Sequence, residues 1–174
     1  MVGRFRSPDA RVVVTLRGLV WHNGSWWACL ERALGPGQGL TAPHRHDQTD
    51  EIHVVKEGCV RYMQGLRFRT AIAGQVIQYK AGAAHMDPWA ANGQPARVMT
   101  FLSPASTPWI ELGMRIGRMT KHGHLTSRGQ PPLDAFMGAV HETGADVWAA
   151  GLPTFLQRWI TTPAIAAVAR IRAR

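Results

Sequence analysis

Cysteine is scarce in this chain. Among 174 residues there are two, Cys29 and Cys59, and they do not form a Cys-x-x-Cys pair. Two cysteines that do not form such a pair exclude the dense disulfide framework that holds many small secreted domains together. We therefore expect a reducing compartment, and the predicted location is the cytoplasm.

Long uninterrupted apolar runs are also missing. Residues 1–6 hold no run that could form the core of a signal peptide, and Arg11 and Arg17 bracket the first apolar strand. Near the other end, Pro153, Arg158 and Pro163 interrupt the most apolar segment. That segment is too broken to cross a bilayer.

Acidic residues are few, with 11 Asp and Glu against 20 Lys and Arg, and the formal charge is +9. Most of the basic residues are arginines, scattered along the chain rather than clustered. There is no helix-turn-helix signal, no zinc-finger spacing and no alternation of aromatic and basic residues. Nucleic-acid binding is therefore not expected, and affinity for anionic small molecules or a membrane surface explains the charge more simply.

Four potential metal ligands stand in two nearby segments. His44, His46 and Glu51 fall within eight residues, and His85 follows the turn at Gly82. On an extended strand, residues two apart point to the same side, so His44 and His46 share a face. Three imidazoles and one carboxylate suit a divalent transition metal, with Fe, Mn, Zn, Ni and Cu all open.

The spacing of these residues resembles the paired motifs of the cupin superfamily, in its single-domain type-2 form. The first motif reads Gly-x4-His-x-His-x4-Glu-x6-Gly from Gly39, and the second reads Gly-x5-x-x-Gly-x2-His from Gly74 to His85. Lys80 stands where the family usually has Pro, and Trp89 where it often has Asn. The resemblance implies a barrel that holds a metal, and cupins of this size commonly form homodimers. Because both departures are at scaffold positions, the loop before His85 is expected to be looser, with all four ligands retained.

The rest of the first two thirds of the chain has the pattern of short strands. Alternating apolar and polar residues, divided by glycine-rich turns, predict a mainly β fold. This fold is the cupin double-stranded β-helix, a jelly-roll barrel over residues 1–104. The predicted strands are at residues 11–17, 26–34, 52–55, 59–64, 66–72, 76–79 and 97–102.

Residues 105–174 are predicted to form a helical C-terminal extension. Apolar residues recur at helical spacing from Leu133 to Val140, and again in the stripe Leu152, Phe155, Leu156, Trp159 and Ile160. A last segment begins at Pro163 and carries several arginines. We expect the stripe to pack on the barrel or on a partner subunit, while weak anchoring to a membrane surface stays open. No motif in the extension indicates chemistry.

His53 is the candidate catalytic residue. If the strand runs on from Glu51, then Glu51, His53 and Val55 face into the barrel, where a neutral imidazole can orient a ligand or act as a general base. A buried histidine bonded to a neighbour is the alternative. His122 and His124 repeat the His-x-His spacing, but no carboxylate follows at a fitting distance, which favours a solvated loop.

Three functions remain open from the sequence, the third being a protein whose basic tail docks it to a membrane surface or to a partner, whatever the barrel does. The four ligands favour a metal-dependent enzyme acting on a small organic molecule, of the dioxygenase, isomerase or lyase type. The alternative is a cupin that binds a small ligand, or senses it, without catalysis, because this kind of barrel hosts many functions.

Overall fold

The computed structural model describes residues 3–39, 41–91, 93–165 and 167. Its strands are β1 (Gly3–Arg6), β2 (Val12–His22), β3 (Ser25–Leu34), β4 (His44–Arg45), β5 (Asp50–Glu57), β6 (Cys59–Gln64), β7 (Arg67–Ile72), β8 (Val76–Tyr79), β9 (His85–Ala90), β10 (Ala96–Ser103) and β11 (Trp148–Ala149). The helices are α1 (Thr107–Lys121), α2 (Leu133–Thr143) and α3 (Thr154–Leu156), which continues as a π-helical turn at Gln157–Thr161.

Within those residues the strands form two antiparallel sheets. One has the order β1-β2-β3-β10-β5-β8 and the other the order β11-β4-β9-β6-β7. From β5 onward the chain passes repeatedly between the sheets, with β6, β7 and β9 in one and β8 and β10 in the other. This is the predicted jelly roll, and the mainly β fold class with helices at the C-terminus is confirmed.

The barrel core lies between the two sheets and follows from strand alternation. On β2, Val12 and Val14 point inward, as the sequence predicted, and meet Val55, Val60 and Val98 from other strands. Gly58 closes the hairpin between β5 and β6 at a positive φ of 77°, and a side chain there would clash with the carbonyl oxygen of Pro95. The glycine is therefore required by both conformation and space.

A second core joins the extension to the barrel. Trp109 and Leu112 of α1, with Ala139 and Val140 of α2, pack against barrel residues that include Leu102. The helical period predicted α2 correctly, and Gly144 ends it in the left-handed conformation at φ 69°. Helix α1 lies in the region predicted to be helical, although its bounds were not predicted, and strands β1, β9 and β11 were not among the predicted elements.

Three residues of the apolar stripe after α2 are exposed rather than packed on the barrel. Leu152, Phe155 and Trp159 are 49%, 64% and 76% exposed, whereas the polar Gln157 is 1% exposed. The Gln157 amide is bonded to both backbone groups of Ala149 and to the carbonyl of Leu152. Burial against the barrel is thus not found for these three side chains, because a buried amide occupies the inner face. Packing on a partner subunit or at a membrane surface stays a prediction.

The predicted last segment falls largely outside the described residues, which end with 163–165 and 167. Among the residues that are described, no helix is long and apolar enough to cross a membrane.

Gln157, rather than the apolar stripe, is predicted to hold the end of the chain to the fold. Replacing it with Ala removes three hydrogen bonds at a buried position and should lower the free energy of unfolding by about 1–3 kcal/mol, measured by urea denaturation. The matched variant Trp159→Ser alters an exposed side chain and should change it by less than about 0.5 kcal/mol. A larger loss with Trp159→Ser than with Gln157→Ala would show that the stripe is the anchor.

Candidate metal centre

Strand pairing brings the four predicted ligands to one end of the barrel. His44 on β4 lies directly opposite His85, the first residue of β9. His46 follows β4, and its carbonyl accepts a hydrogen bond at 2.6 Å from the backbone N–H of Gly82 in the turn before His85. Glu51 is on β5, in the facing sheet. The two sheets therefore each contribute to the same site.

The donor atoms of these residues converge. One ligand atom from each of His44, His46, Glu51 and His85 lies within 4.8 Å of the others. Glu51 Oε2 is 3.3 Å from His46 Nε2 and 3.1 Å from His85 Nε2. This spacing brackets a point that a metal ion would occupy at bonds of about 2.0–2.2 Å, after small movements of the side chains.

Each of the three imidazole rings is held by a hydrogen bond between its Nδ1 atom and a backbone carbonyl. The Nδ1 atoms of His44, His46 and His85 donate hydrogen bonds to the carbonyl oxygens of Ala42, Asp146 and Ala83, at 2.9, 2.6 and 2.9 Å. A carbonyl oxygen can only accept, so the proton of a neutral ring is on Nδ1. Nε2 is then the nitrogen of each ring that is left for the cluster, and in His46 and His85 it faces Glu51. Metal-binding histidines are usually oriented in this way.

Solvent reaches the cluster from one side. The side chains of His46, Glu51 and His85 are 4%, 5% and 1% exposed, while that of His44 is 14% exposed. His44 therefore lies at the open side, and the other three lie deeper in the barrel.

Burial and charge act in opposite directions on the ionisable groups of the site. Burial would raise the pKa of Glu51, but the neighbouring His53 and hydrogen bonds from His46 and His85 hold it well below its usual range. Burial lowers the pKa of His44. For His46, burial is outweighed by the contact with Glu51, so its pKa is raised. The site therefore presents a carboxylate to the imidazoles.

His53 lies next to this carboxylate, deeper in the barrel. Its side chain is fully buried, and Val55, two residues on, is 0% exposed, so the predicted inward face is confirmed. Its Nδ1 shares a hydrogen bond of 2.9 Å with the hydroxyl of Thr100. Its Nε2 is 3.2 Å from Glu51 Oε1 but is not aligned for a hydrogen bond. Burial lowers the pKa of His53 to about 4, so the ring is neutral at neutral pH and only weakly basic.

Two charged residues of the site were missed from the sequence. Asp87 Oδ1 is 3.5 Å from His44 Nε2, and Asp87 Oδ2 is 3.2 Å from Arg32 Nη1. Burial and Glu51 raise the pKa of Asp87, but Arg32 and the nearby histidines outweigh them and lower it. The sequence does contain a signal for each of these two residues. Asp87 is two residues after His85 on one strand, and Arg32 is on the same face as Leu30 and Leu34.

The extension also contributes to the site, although no motif in it indicated chemistry. Besides accepting from His46, Asp146 uses its carboxylate to accept hydrogen bonds from the backbone N–H groups of Asp47 and Gln48, at 3.1 and 2.6 Å. The Trp109 ring packs edge-on against His46, with centroids 4.9 Å apart.

The loop before His85 is held in place despite its missing proline. Lys80 Nζ donates to Asp50 Oδ2 at 2.7 Å, and the backbone N–H of Ala81 donates to Asp50 Oδ1 at 2.9 Å. This carboxylate bridges the loop to β5, so the expected loosening is not found. His122 and His124 lie exposed after α1, away from the cluster, as expected for a solvated loop.

Comparison with known proteins finds a match only among solved structures. A scan against models of protein families found no match, and neither did a search of curated proteins. KdgF from Halomonas sp. is 15% identical over 59% of this chain and 86% of that one, with a TM-score of 0.46. The cupin_2 domain of an XRE family transcriptional regulator from Enterobacter cloacae is 18% identical over 55% and 99%, with a TM-score of 0.45. A cupin-2 domain protein from Rhodospirillum rubrum is 15% identical over 59% and 68%, with a TM-score of 0.44.

The sheet order and the site agree with the resemblance seen in the sequence. The strands alternate between two sheets as in a jelly roll, and both motifs deliver their ligands to one end of it. The chain therefore has a cupin-type double-stranded β-helix with a possible metal-binding group of three histidines and one glutamate.

Asp146 is predicted to orient His46. Asp146→Ala removes the carboxylate that fixes the turn at Asp47 and Gln48, so the carbonyl of residue 146 loses its position under His46. We expect the affinity for Zn²⁺ to fall by about 10–100-fold, as for other groups that orient a ligand. Competition with a chelating dye would measure it. Glu111→Ala, at an exposed position on α1, is the matched control and should leave the affinity unchanged.

Metal binding is also predicted to depend on pH through His46. The contact with Glu51 raises the pKa of this ring above its ordinary value, so without metal it keeps a proton to higher pH than a free imidazole does. A metal must displace that proton. Affinity should therefore fall as the pH is lowered through the raised pKa, by up to roughly tenfold per unit for one proton. Equal Zn²⁺ affinities at about pH 6 and about pH 8 would contradict this.

Proposed function

We propose that this protein is a metal-dependent enzyme acting on a small organic molecule, with His44, His46, Glu51 and His85 holding a divalent transition metal. The observation that supports this most strongly is the state of the three imidazoles. Each gives its Nδ1 proton to a backbone carbonyl and leaves Nε2 for a ligand bond. A buried histidine kept for packing also needs a partner for Nδ1, but three rings anchored in this way around one carboxylate match the usual arrangement of a metal-binding site.

The chemistry of the donor set fits a catalytic metal. Imidazole and carboxylate suit Fe, Mn, Zn, Ni and Cu, whereas four-coordinate structural sites are usually richer in cysteine. A divalent ion bound there would supply a Lewis acid, and a redox-active one would also allow chemistry with dioxygen. Dioxygenase, isomerase and lyase reactions are the proposed classes.

The chain's own residues have separable roles in this proposal. Glu51 is the anionic ligand, and His53, held by Thr100, packs against the other carboxylate oxygen of Glu51 at 3.2 Å and limits its movement without a hydrogen bond. With a pKa of about 4, His53 suits this positioning role better than that of a general base at neutral pH. His44 and Asp87 lie on the more exposed side, and we assign them contact with the substrate.

A small-ligand-binding or sensor protein is the second candidate. The low pKa of His53, about 4, favours it, because the candidate catalytic residue is then only a weak general base at neutral pH. A homodimer in the cytoplasm is part of either proposal.

Metal analysis tests the proposal. Protein purified without chelators or a His tag should contain about one transition-metal ion per chain, as mass spectrometry of the metal content would measure. A redox-active metal favours oxygen chemistry, and zinc favours an isomerase or lyase. If the protein neither contains a metal nor takes one up on titration, the metal-dependent enzyme is excluded and the ligand-binding function remains.

His46→Ala is predicted to remove most of the metal affinity while the barrel stays folded, because the barrel is held by packing between its sheets. Zinc titration and circular dichroism would measure the two effects. His124→Ala removes an exposed imidazole and is the matched control. Unfolding of His46→Ala at ordinary temperature would mean that the histidine supports the fold, and the enzyme proposal would lose its main support.

A further inference from the structure

Arg32 is a charged residue inside an otherwise apolar part of the barrel. It is on β3, directly opposite Val14 on one neighbouring strand and Val98 on the other. Both valines belong to the barrel core. Because residues directly opposite each other share a face of the sheet, the Arg32 side chain enters the barrel. A guanidinium in such a place needs partners for its N–H groups.

The guanidinium of Arg32 is only partly paired. Nη1 is bonded to Asp87 Oδ2 at 3.2 Å. Nε and Nη2 are buried and have no hydrogen-bond partner within the described part of the chain. These two nitrogens form one edge of the guanidinium, and that edge matches the two oxygens of a carboxylate. The ion pair with Asp87 therefore leaves the bidentate edge of Arg32 for another acceptor.

This free edge is next to the metal cluster. Asp87 is bonded to Arg32 through one oxygen, and its other oxygen is 3.5 Å from His44 Nε2. The side chains of Arg32, His44 and Asp87 are 14%, 14% and 18% exposed, more than the deeper ligands. Arg32 and Asp87 therefore border the open side of the cluster, but the Nε–Nη2 edge itself is buried, so an acid must displace the groups that cover it.

The combined charge of the metal group, Arg32 and Asp87 favours the binding of an anion. A divalent ion and Arg32 supply three positive charges, and Glu51 and Asp87 supply two negative ones. One net positive charge is left, and a singly charged carboxylate balances it. A neutral substrate would leave that charge buried without a partner.

We propose that Arg32 binds the carboxylate of a small organic acid, and that such acids are the substrate class of this site. The inference rests on the proposed metal site, because the other end of the acid is placed at the metal. Arg32 determines specificity: it selects acids over neutral analogues and does not hold the metal.

Calorimetry with zinc-loaded protein tests this proposal. The probes are acetate, malonate and succinate, with malonamide as the neutral match to malonate. We expect at least one acid to bind and malonamide not to bind. Arg32→Lys keeps a positive charge beside Asp87 but cannot donate two parallel hydrogen bonds to a carboxylate. The variant should therefore bind the acid about 10–100-fold more weakly. Arg115→Lys changes an exposed arginine paired with Glu142 and is the matched control.

The outcomes separate this inference from the metal proposal. Failure of the wild-type protein to take up zinc would overturn the metal site itself. Zinc uptake without binding of any of the three acids, or equal binding by wild type and Arg32→Lys, would overturn the role of Arg32 and leave the metal site standing. Zinc affinity and thermal unfolding of Arg32→Lys should match wild type. If that variant fails to fold, the double variant Arg32→Met/Asp87→Asn replaces it, because it removes both charges of the pair. The expected loss of acid binding is the same.

Discussion

The hydrogen bonds from three histidine Nδ1 atoms to backbone carbonyls are the interactions on which the site depends. A histidine ring that is free to rotate or to change tautomer presents a lone pair only part of the time. Here the carbonyls of Ala42, Ala83 and Asp146 fix both properties before any metal arrives. Two of these carbonyls are two residues from the histidine they hold, so the local loop sets the orientation. The third comes from a hundred residues away and requires the tertiary fold.

That distant carbonyl explains why the helical extension belongs to the site. Strand β11 adds to the sheet beside β4, placing Asp146 below His46, and α1 places Trp109 against the same ring. Trp109 also donates from its indole N–H to Thr49, in the turn that leads to Glu51. The second hydrophobic core, which buries Leu102 with Leu112 and Val140, holds both contacts in position. Packing of the extension and geometry of the metal ligands are therefore coupled.

The ligand set and the barrel could be predicted because both depend on local patterns. Period-two alternation marks the strands, and the spacing of His44, His46, Glu51 and His85 fixes which side chains meet. The contact of Asp146 with His46 could not be predicted from local patterns, because the Asp146 carbonyl reaches His46 only through the pairing of a two-residue strand. Within the stripe, Phe155 and Trp159 are exposed, and the segment continues as a π-helical turn, so the helical period alone did not place these side chains. The placement of the segment is decided by the three hydrogen bonds of one amide, Gln157, which periodicity does not register.

A crystal structure of the protein soaked with Zn²⁺ or Fe²⁺ tests the central claim most directly. The account predicts one ion bonded at about 2.0–2.2 Å to the Nε2 atoms of His44, His46 and His85 and to a carboxylate oxygen of Glu51. The three Nδ1 contacts to the carbonyls should remain unchanged. An ion bound through Nδ1 of any of these rings, or an ion found only elsewhere on the protein, would contradict it.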